Sequence, residues 1–484
     1  GDNMAKKEYE KYFVKPSIKD ARKRKIEDTV VIDFNEYFNL KGFGKGKTYR
    51  IETYGCQGNE ADSEKIRGIL EALDFTQSET LEHADLILLN TCAIRENAEN
   101  RVFGELGRLK KYKRNNPDLI LGVCGCMPQE EKVVDKILNK IHHVDLVFGT
   151  HNIYKLPEYL ETVILSKERV IEVFSEQGSI VENMPKIREN NRKAWVNIMY
   201  GCDEFCTYCI VPYTRGKERS RDKEHIISEV KELIKDGYKE ITLLGQNVNS
   251  YGRDFVDENY KFAQLLLDLQ KLPIDRIRFT TSHPKDFDLE TVKVIATGGN
   301  LMPYIHLPVQ SGSNEVLKRM NRKYTKESYM QLIDWIYEYI PNVSLTTDII
   351  VGFPGETEEQ FNMTLDLVKE CRFEGAYTFV YSSRVGTPAA TYEDFLTIEE
   401  KKERLYKLNK IVNDGYLIGN ERFADKEVKV LVDGVSKNND EILAGYTENN
   451  KLVNFRGPVE LIGEIVKVKI TDVKTWSLTG DLIE

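Results

Sequence analysis

The chain has 484 residues, of which 41% are hydrophobic, and a net charge of −9. That length is too great for one ordinary core and implies about three domains, while the acidic balance excludes a generically adhesive nucleic-acid binder and leaves RNA contact to local basic patches. No stretch approaches the ~20 consecutive apolar residues of a membrane span and no apolar segment follows the charged N-terminus as in a secretory signal, so a cytoplasmic protein without membrane contact is expected.

Residues 1–46 read as a charged arm, partly helical or disordered, with consecutive cations at Arg22, Lys23, Arg24 and Lys25. From Thr48 the pattern changes. Apolar runs at 49–53, 85–90, 119–123 and 144–148 alternate with amphipathic helices, which is the signature of a parallel α/β sheet and delimits an N-terminal domain over 47–165. Cys56, Cys92 and Cys126 each follow one of the first three strands. Ligands of open α/β sheets gather outside the carboxyl ends of strands, so these three thiols can converge on one metal-cluster site. A small buried hydrophobe is the ordinary fate of any single free cysteine, but three at one topological position weaken that reading. Cys124 and Cys371 read as packing residues. The basic run Arg108, Lys110, Lys111, Lys113 and Arg114 is a candidate phosphate contact, with a solvated helix face as the alternative.

A central region over 188–418 opens with a strand at 194–199 that leads straight into Gly201-Cys202-Asp203-Glu204-Phe205-Cys206-Thr207-Tyr208-Cys209. Three thiolates so closely spaced can hold three irons of a 4Fe-4S cluster, and with no fourth cysteine following, one iron stays open for a ligand. A structural zinc knuckle is the alternative. Such sites are normally closed by four ligands, and the nearest downstream histidine, His225, lies in an amphipathic helix. An open iron suits S-adenosylmethionine (SAM), whose amino and carboxylate groups would complete the coordination; an electron then splits the sulfonium to release a 5′-deoxyadenosyl radical. Next come Arg215, Lys217, Arg219 and Arg221, a candidate phosphate clamp or else a solvated loop face.

Five further strand-like runs follow at 240–245, 276–281, 304–308, 344–351 and 376–381, separated by helices such as the one that puts Ile226, Val230 and Leu233 on one face. Six βα units make a partial (β/α)6 barrel, whose strand-end loops carry the chemistry. The loops are polar and glycine-rich, and Gln246, Gln310 and Asp348 are candidate SAM contacts. His283 before a proline reads equally as a backbone cap or as part of the binding loop, and Asp348, in an otherwise apolar strand, requires a partner. After a charged helix at 398–413, residues 421–484 alternate with period two at 428–432 and 465–470, which predicts a small antiparallel barrel. With nine Lys/Arg against twelve Asp/Glu it is not basic overall. Its best RNA face joins Lys467, Lys469 and Lys474 to Trp476, against the alternative of a solvated strand face.

Taken together, Thr53-Tyr54-Gly55-Cys56-Gln57, Asn90-Thr91-Cys92-Ala93-Ile94-Arg95-Glu96-Asn97-Ala98-Glu99, Gly125-Cys126-Met127 and the cysteine loop resemble the radical-SAM methylthiotransferases from about residue 47 onward. The tail Lys474-Thr475-Trp476-Ser477-Leu478 is similar to the end of a TRAM domain. The wording of the motifs is nearest to the branch acting on isopentenylated adenosine in tRNA. This resemblance implies an auxiliary 4Fe-4S cluster on Cys56, Cys92 and Cys126 that carries the sulfur, and a SAM-binding 4Fe-4S cluster on Cys202, Cys206 and Cys209. It further implies two SAM, one to methylate a sulfur on the auxiliary cluster and one to supply the radical that activates C2 of the base at position 37. The implied partners are a tRNA anticodon stem-loop and a cytosolic electron donor, with the chain acting as a monomer. A single-stranded loop base can be splayed into a pocket, which agrees with that chemistry. One departure stands out: the family usually reads Cys-Gln-Met-Asn after the first cysteine, and here Gly58 takes the place of Met. Within the family, threonylcarbamoyladenosine or a ribosomal-protein aspartate are alternative substrates. From another class, a non-catalytic iron-sulfur RNA-binding or electron-carrying protein is the alternative, disfavoured by the missing fourth cysteine.

Overall fold

The computed structural model describes residues 29–37, 42–93, 96–173, 179–384 and 386–483. The basic run at 22–25, most of the charged arm, and Ile94 and Arg95 of the second cysteine motif lie outside them. Strand β1 (Val31–Asp33) belongs to the arm. The N-terminal domain contributes β2 (Thr48–Thr53), β3 (Thr76–Gln77), β4 (Leu86–Thr91), β5 (Ile120–Gly125), β6 (Leu146–Phe148) and β7 (Val170–Glu172), all parallel, in spatial order β3-β2-β4-β5-β6-β7. In β4, Leu86 and Leu88 pack with Ile66, Ile69 and Leu70 on one face, while Ile87 and Leu89 pack with Val102 and Leu106 on the other. Burial on both faces is what a continuous apolar run demands. The sheet has two more strands than expected, β3 and β7, each too short to show a periodicity; β7 carries it past residue 165.

Strand β8 (Ile180–Glu182) pairs in parallel with β1, so the described part of the arm, which also holds the short helix Phe34–Tyr37, is tied down. The chain then runs along the helix Gln57–Ala72. Ile187 N donates to Glu64 O (2.9 Å), Arg67 pairs with Glu189 (2.9 Å), and Gly68 lies so close to Pro185 that a Cβ would meet its carbonyl oxygen at 2.1 Å.

The central region holds β9 (Lys193–Asn197), β10 (Met199–Tyr200), β11 (Arg219–Ser220), β12 (Glu240–Leu244), β13 (Arg276–Thr280), β14 (Tyr304–His306), β15 (Ser344–Val351) and β16 (Gly375–Val380). Two parallel triplets, β9-β12-β13 and β14-β15-β16, are joined through a bridge between Ile277 and Leu301. Among the described residues β9 and β16 do not pair, so the six-stranded barrel is open along one seam, as a partial barrel should be. Val196, Ile241, Leu243, Ile277, Ile305 and Ile349 pack outward against the helices. The alternating positions, Trp195, Thr242, Arg278, Tyr304, His306, Asp348, Tyr377 and Phe379, line a lumen of about 620 Å³.

The following helix, Ile398–Glu421, runs well past residue 413. Five strands then close a barrel in the order β17-β18-β19-β21-β20: β17 (Glu427–Ser436), β18 (Asn439–Thr447), β19 (Leu452–Arg456), β20 (Ile465–Val473) and β21 (Leu478–Leu482). One pairing, β19 with β21, is parallel, which corrects the all-antiparallel expectation. This small barrel docks on the lower end of the large one. Arg276 donates to the carbonyls of Tyr446 (2.9 Å) and Lys429 (3.1 Å), Arg278 to those of Glu448 (2.9 Å) and Thr447 (2.7 Å), and Asn449 to that of Asn342 (2.7 Å). No described helix is long and apolar enough to cross a membrane. Replacing Arg278 with Met would strip three hydrogen bonds and leave buried Glu240 with only the longer contact to Arg276 (3.8 Å). Arg278→Met is therefore expected to cost about 3 kcal/mol in denaturant unfolding, with faster proteolysis at the junction near Glu421.

Candidate functional site

The cysteine loop is closed at its base. At Gly201, φ is +76° and a Cβ would meet Lys217 O at 1.9 Å, so only glycine fits. β10 and β11 pair antiparallel, Met199 opposite Ser220, and Cys202 N donates to Gly216 O (3.0 Å). Inside the loop Cys209 N donates to Cys206 O (3.0 Å) and Thr207 Oγ1 to Arg319 O (2.8 Å). Arg322 donates to Cys206 Sγ (3.5 Å) and to Pro308 O (3.0 Å), fixing the middle cysteine against the barrel. Glu204, buried between the first two cysteines, accepts from Lys285 Nζ (2.8 and 2.9 Å), which clamps the loop to the one after β13. Burial pushes the Cys209 thiol up to about 12 and the Cys202 thiol well above its usual range. Thiolates here need positive charge beside them, and a metal centre supplies it.

Cys56, Cys92 and Cys126 stand just past β2, β4 and β5, three neighbouring strands of one sheet. Gly55, at φ +105°, turns the chain so tightly past Cys92 that a Cβ would lie 2.6 Å from its Sγ. Asn59 knits the triplet: its Nδ2 donates to Thr91 O (2.7 Å), its backbone O accepts from Asn90 Nδ2 (2.8 Å), and the Cys56 thiol donates to its Oδ1 (3.3 Å). Burial raises the Cys126 thiol to about 12, with Arg215 pulling the other way. Cys124 is buried in the sheet and Cys371 packs against Met330, both as expected.

Among the described residues, Glu204, His283 and Asp286 are the one group whose candidate ligand atoms all lie within 4.8 Å of one another, and the Lys285 ammonium already sits on them. His225, the histidine a zinc site would recruit, faces Glu182 (3.8 Å).

The two triplets are joined by residues 210–215. Ile210 packs on Cys126 and Ala93, Thr150 Oγ1 donates to Thr214 O (2.8 Å), and Arg215 reaches Asp62 (3.0 Å) and Asn59 (3.3 Å) beside Cys56. Gly58 lies in a helix at an ordinary φ, so its glycine is a matter of space. A Cβ there would be 3.4 Å from Arg215 and 3.5 Å from Cys56 Sγ. It lines a cavity of about 70 Å³ between the two domains, together with Lys65, Tyr200, Arg215 and Gln246.

The expected SAM contacts do not share one space. Gln246 lines that small cavity, whereas Asp348 lines the lumen and meets His306 Nε2 (3.1 Å), the partner its strand position requires. Gln310, buried at φ +70°, donates its backbone N–H to Asp348 O (2.9 Å) and leaves its side-chain Oε1 unpartnered. The same holds for Asn247 Oδ1, Asn249 Nδ2, Ser282 Oγ and His283 Nε2. Lys285 N donates to His283 Nδ1 (3.1 Å), so the ring proton is on Nε2. Buried polar atoms are normally satisfied, and this belt at the strand ends fits a polar ligand of SAM's kind. Asn249, Glu204 and Arg322 escaped the sequence reading; only the polar character of the loops signalled them.

The expected phosphate clamp is corrected. Arg215, Lys217, Arg219 and Arg221 turn inward: Arg221 bonds Glu182 (2.9 Å), Glu229 (2.9 Å) and Asn197 O (2.7 Å), and Arg219 donates to Lys217 O (2.7 Å). A fold that closes the cysteine loop has no surface to spare for them. By contrast Lys467 and Lys469 project from one face of β20, Lys474 is exposed, and Trp476 is 66% exposed. On the helix Glu96–Asn115, Arg108, Lys110, Lys111 and Arg114 are exposed and Lys113 pairs with Asp145 (2.5 Å). Arg221→Met is expected to lower stability by about 3–5 kcal/mol, as a buried pair losing one partner does, while the salt slope of RNA binding stays unchanged. Neutralising Lys467 and Lys469 should instead flatten that log-log slope by up to roughly 0.7 per contact.

Comparison with known proteins bears on these features. The radical SAM superfamily profile matches residues 196–368, the uncharacterized protein family UPF0004 residues 48–149, and the TRAM domain residues 422–483. A tRNA-2-methylthio-N(6)-dimethylallyladenosine synthase of Bacillus subtilis (strain 168) is 59% identical over 487 residues, covering 100% of this chain and 96% of its own. Its namesake in Bacillus anthracis is 58% identical over 483 residues, with 99% and 95% covered. Among solved structures, the radical S-adenosylmethionine methyltransferase TsrM of Kitasatospora setae superposes with a TM-score of 0.53 at 14% identity, over 71% of this chain and 77% of that one, which establishes a shared fold.

Proposed function

The chain belongs to the tRNA-2-methylthio-N(6)-dimethylallyladenosine synthases, a family of radical-SAM methylthiotransferases, and from that premise we propose that it converts dimethylallyl (isopentenyl) adenosine at position 37 of tRNA to the 2-methylthio derivative. The observation that carries this reading is the pair of cysteine triplets tied together by residues 210–215. Cys202, Cys206 and Cys209 would hold the SAM-binding cluster, and Cys56, Cys92 and Cys126 a second cluster carrying the sulfur. When bound, an open-iron 4Fe-4S cluster supplies the electron that splits SAM and so provides the radical needed at an unactivated C2–H.

The protein's own part is positioning. Arg322 orients Cys206, and the unpartnered atoms of Gln310, Asn249, Ser282 and His283 would receive SAM. Arg215, held by Asp62, keeps a buried positive charge beside Cys56 and Cys126. In the lumen, His306 braces Asp348 and donates to or accepts from Thr346 Oγ1 (2.8 Å), so the floor of the site is fixed before a base arrives. Lys467, Lys469 and Trp476 offer cations and a ring to an RNA strand without base specificity. The enzyme would act as a monomer in the cytoplasm, drawing on a low-potential electron donor.

Cys206→Ala is expected to abolish 5′-deoxyadenosine release from SAM while keeping roughly half of the iron of anaerobically purified protein, that of the second site. Loss of all iron in this variant would refute two independent clusters. Expression of the chain in a strain lacking 2-methylthio-dimethylallyladenosine should restore that nucleoside in tRNA digests by mass spectrometry, and Cys206→Ala should not.

A further inference from the structure

The lumen carries aromatic side chains that the described residues leave uncovered. Tyr377 and Phe379 sit two apart on β16, the end strand of the open seam, and both line the lumen although they are 59% and 49% exposed. Trp195 lines it from β9, the opposite end strand. The Tyr377 ring meets His306 edge-on, with centroids 5.6 Å apart, so it is held at its inner edge and bare at its outer one. Gln57, the residue after Cys56, lines the same cavity, which places these rings on the side from which a base would face the auxiliary triplet.

The charges of the lumen discriminate further. Its basic lining groups are all engaged: Arg278 with Glu240 (2.9 Å), Lys193 with Asp433 (2.5 Å) and His306 with Asp348 (3.1 Å). Four carboxylates share the lining and are paired in turn: Glu189 with Arg67 (2.9 Å), Glu64 with Arg188 (3.9 Å), and Glu240 and Asp348 with the cations just named. Among the described residues the lining therefore offers no free cation, and a substrate that brings its own carboxylate would be buried there without a partner. A threonylcarbamoyl group and an aspartate side chain both carry that charge; a dimethylallyl group is neutral and branched.

Resting on the function proposed above, we propose that Tyr377 and Phe379, with Trp195, form the wall that reads the dimethylallyl group, while the fully paired charges of the lumen leave an acidic substituent without a partner. The wall is a specificity-determining element. It spends its contacts on the substituent rather than on the reacting C2.

The test is an anisotropy titration of anaerobically reconstituted enzyme with anticodon stem-loops carrying adenosine, dimethylallyladenosine or threonylcarbamoyladenosine at the target position. The quantity read is the ratio of affinities for modified over unmodified RNA. For the unaltered protein the dimethylallyl ratio is expected to be roughly 10 to 100, from partial burial of a five-carbon group, and the threonylcarbamoyl ratio at or below one. Phe379→Ser and Tyr377→Ser should each cut the dimethylallyl ratio several-fold, and Phe379→Leu should keep it. Both side chains are half exposed, so their loss leaves no internal void, and retained iron content checks each variant. An unchanged ratio in both serine variants, with the dimethylallyl stem-loop still methylthiolated, overturns the wall and leaves the proposed function standing. Methylthiolation of the threonylcarbamoyl RNA alone overturns the function itself.

Discussion

The hydrogen bond from Cys202 N to Gly216 O, made possible by Gly201 tucked beneath the Lys217 carbonyl, is the contact on which the rest of the site depends. It closes the loop 201–218 into a compact unit continuous with the first barrel strand. One side of that unit presents Cys202, Cys206 and Cys209 to the barrel mouth, and the other delivers Ile210 and Arg215 to the auxiliary triplet. The two thiol sets are therefore bridged by a single short segment. A side chain at 201 would force the carbonyl at 217 away and uncouple both sets at once.

Charge follows the same economy. The linker from β8 to β9 crosses the joint between domains on buried ion pairs: Glu229 with Lys186 (3.1 Å), Arg188 (3.0 Å) and Arg221 (2.9 Å), and Glu182 with Arg221 (2.9 Å). Burial drags Lys186 down to about 8, and the cations around Glu229 hold its carboxyl well below the usual range. Such networks return little net stability against a hydrophobic alternative, because desolvation offsets the attraction. They do penalise every misregistered arrangement, since any slip leaves a charge buried alone. At a joint that must hold two thiol triplets in register, that penalty serves better than apolar packing, which tolerates sliding.

Much of this was legible in the sequence because it is written in short-range pattern. The cysteine spacing, the six strand runs of the large barrel and the period-two runs of the small one survive in the structure nearly residue for residue, since each is fixed by local periodicity and by the turn that follows it. The arginines past Cys209 were misread for a physical reason: a basic run looks solvated unless its partners are known, and those of Arg221 and Arg215 lie 39 and 153 residues away in sequence. Strands β3 and β7 were lost to shortness. The lumen wall was hidden differently. Tyr377 and Phe379 have the alternation of an ordinary strand, and only the absence of pairing between β9 and β16 among the described residues turns that alternation into an open aromatic face.

The small C-terminal barrel closes one end of the large barrel's lumen. Arg276, Arg278 and Asn449 fasten it across the lower end of the large barrel, where Asn450 closes the lumen. Helices cover the outer wall, and the cysteine loop with Glu204, Lys285 and Asn247 crowds the upper end. Among the described residues, what is left is the seam between β9 and β16, rimmed by rings. A stacked base in a duplex does not present C2 to it. A base swung out of a single-stranded loop can, at an unstacking cost that is least where it is already unpaired. In the function proposed above, exposed cations on β20 would hold the backbone regardless of sequence, so selectivity would have to come from what enters the lumen.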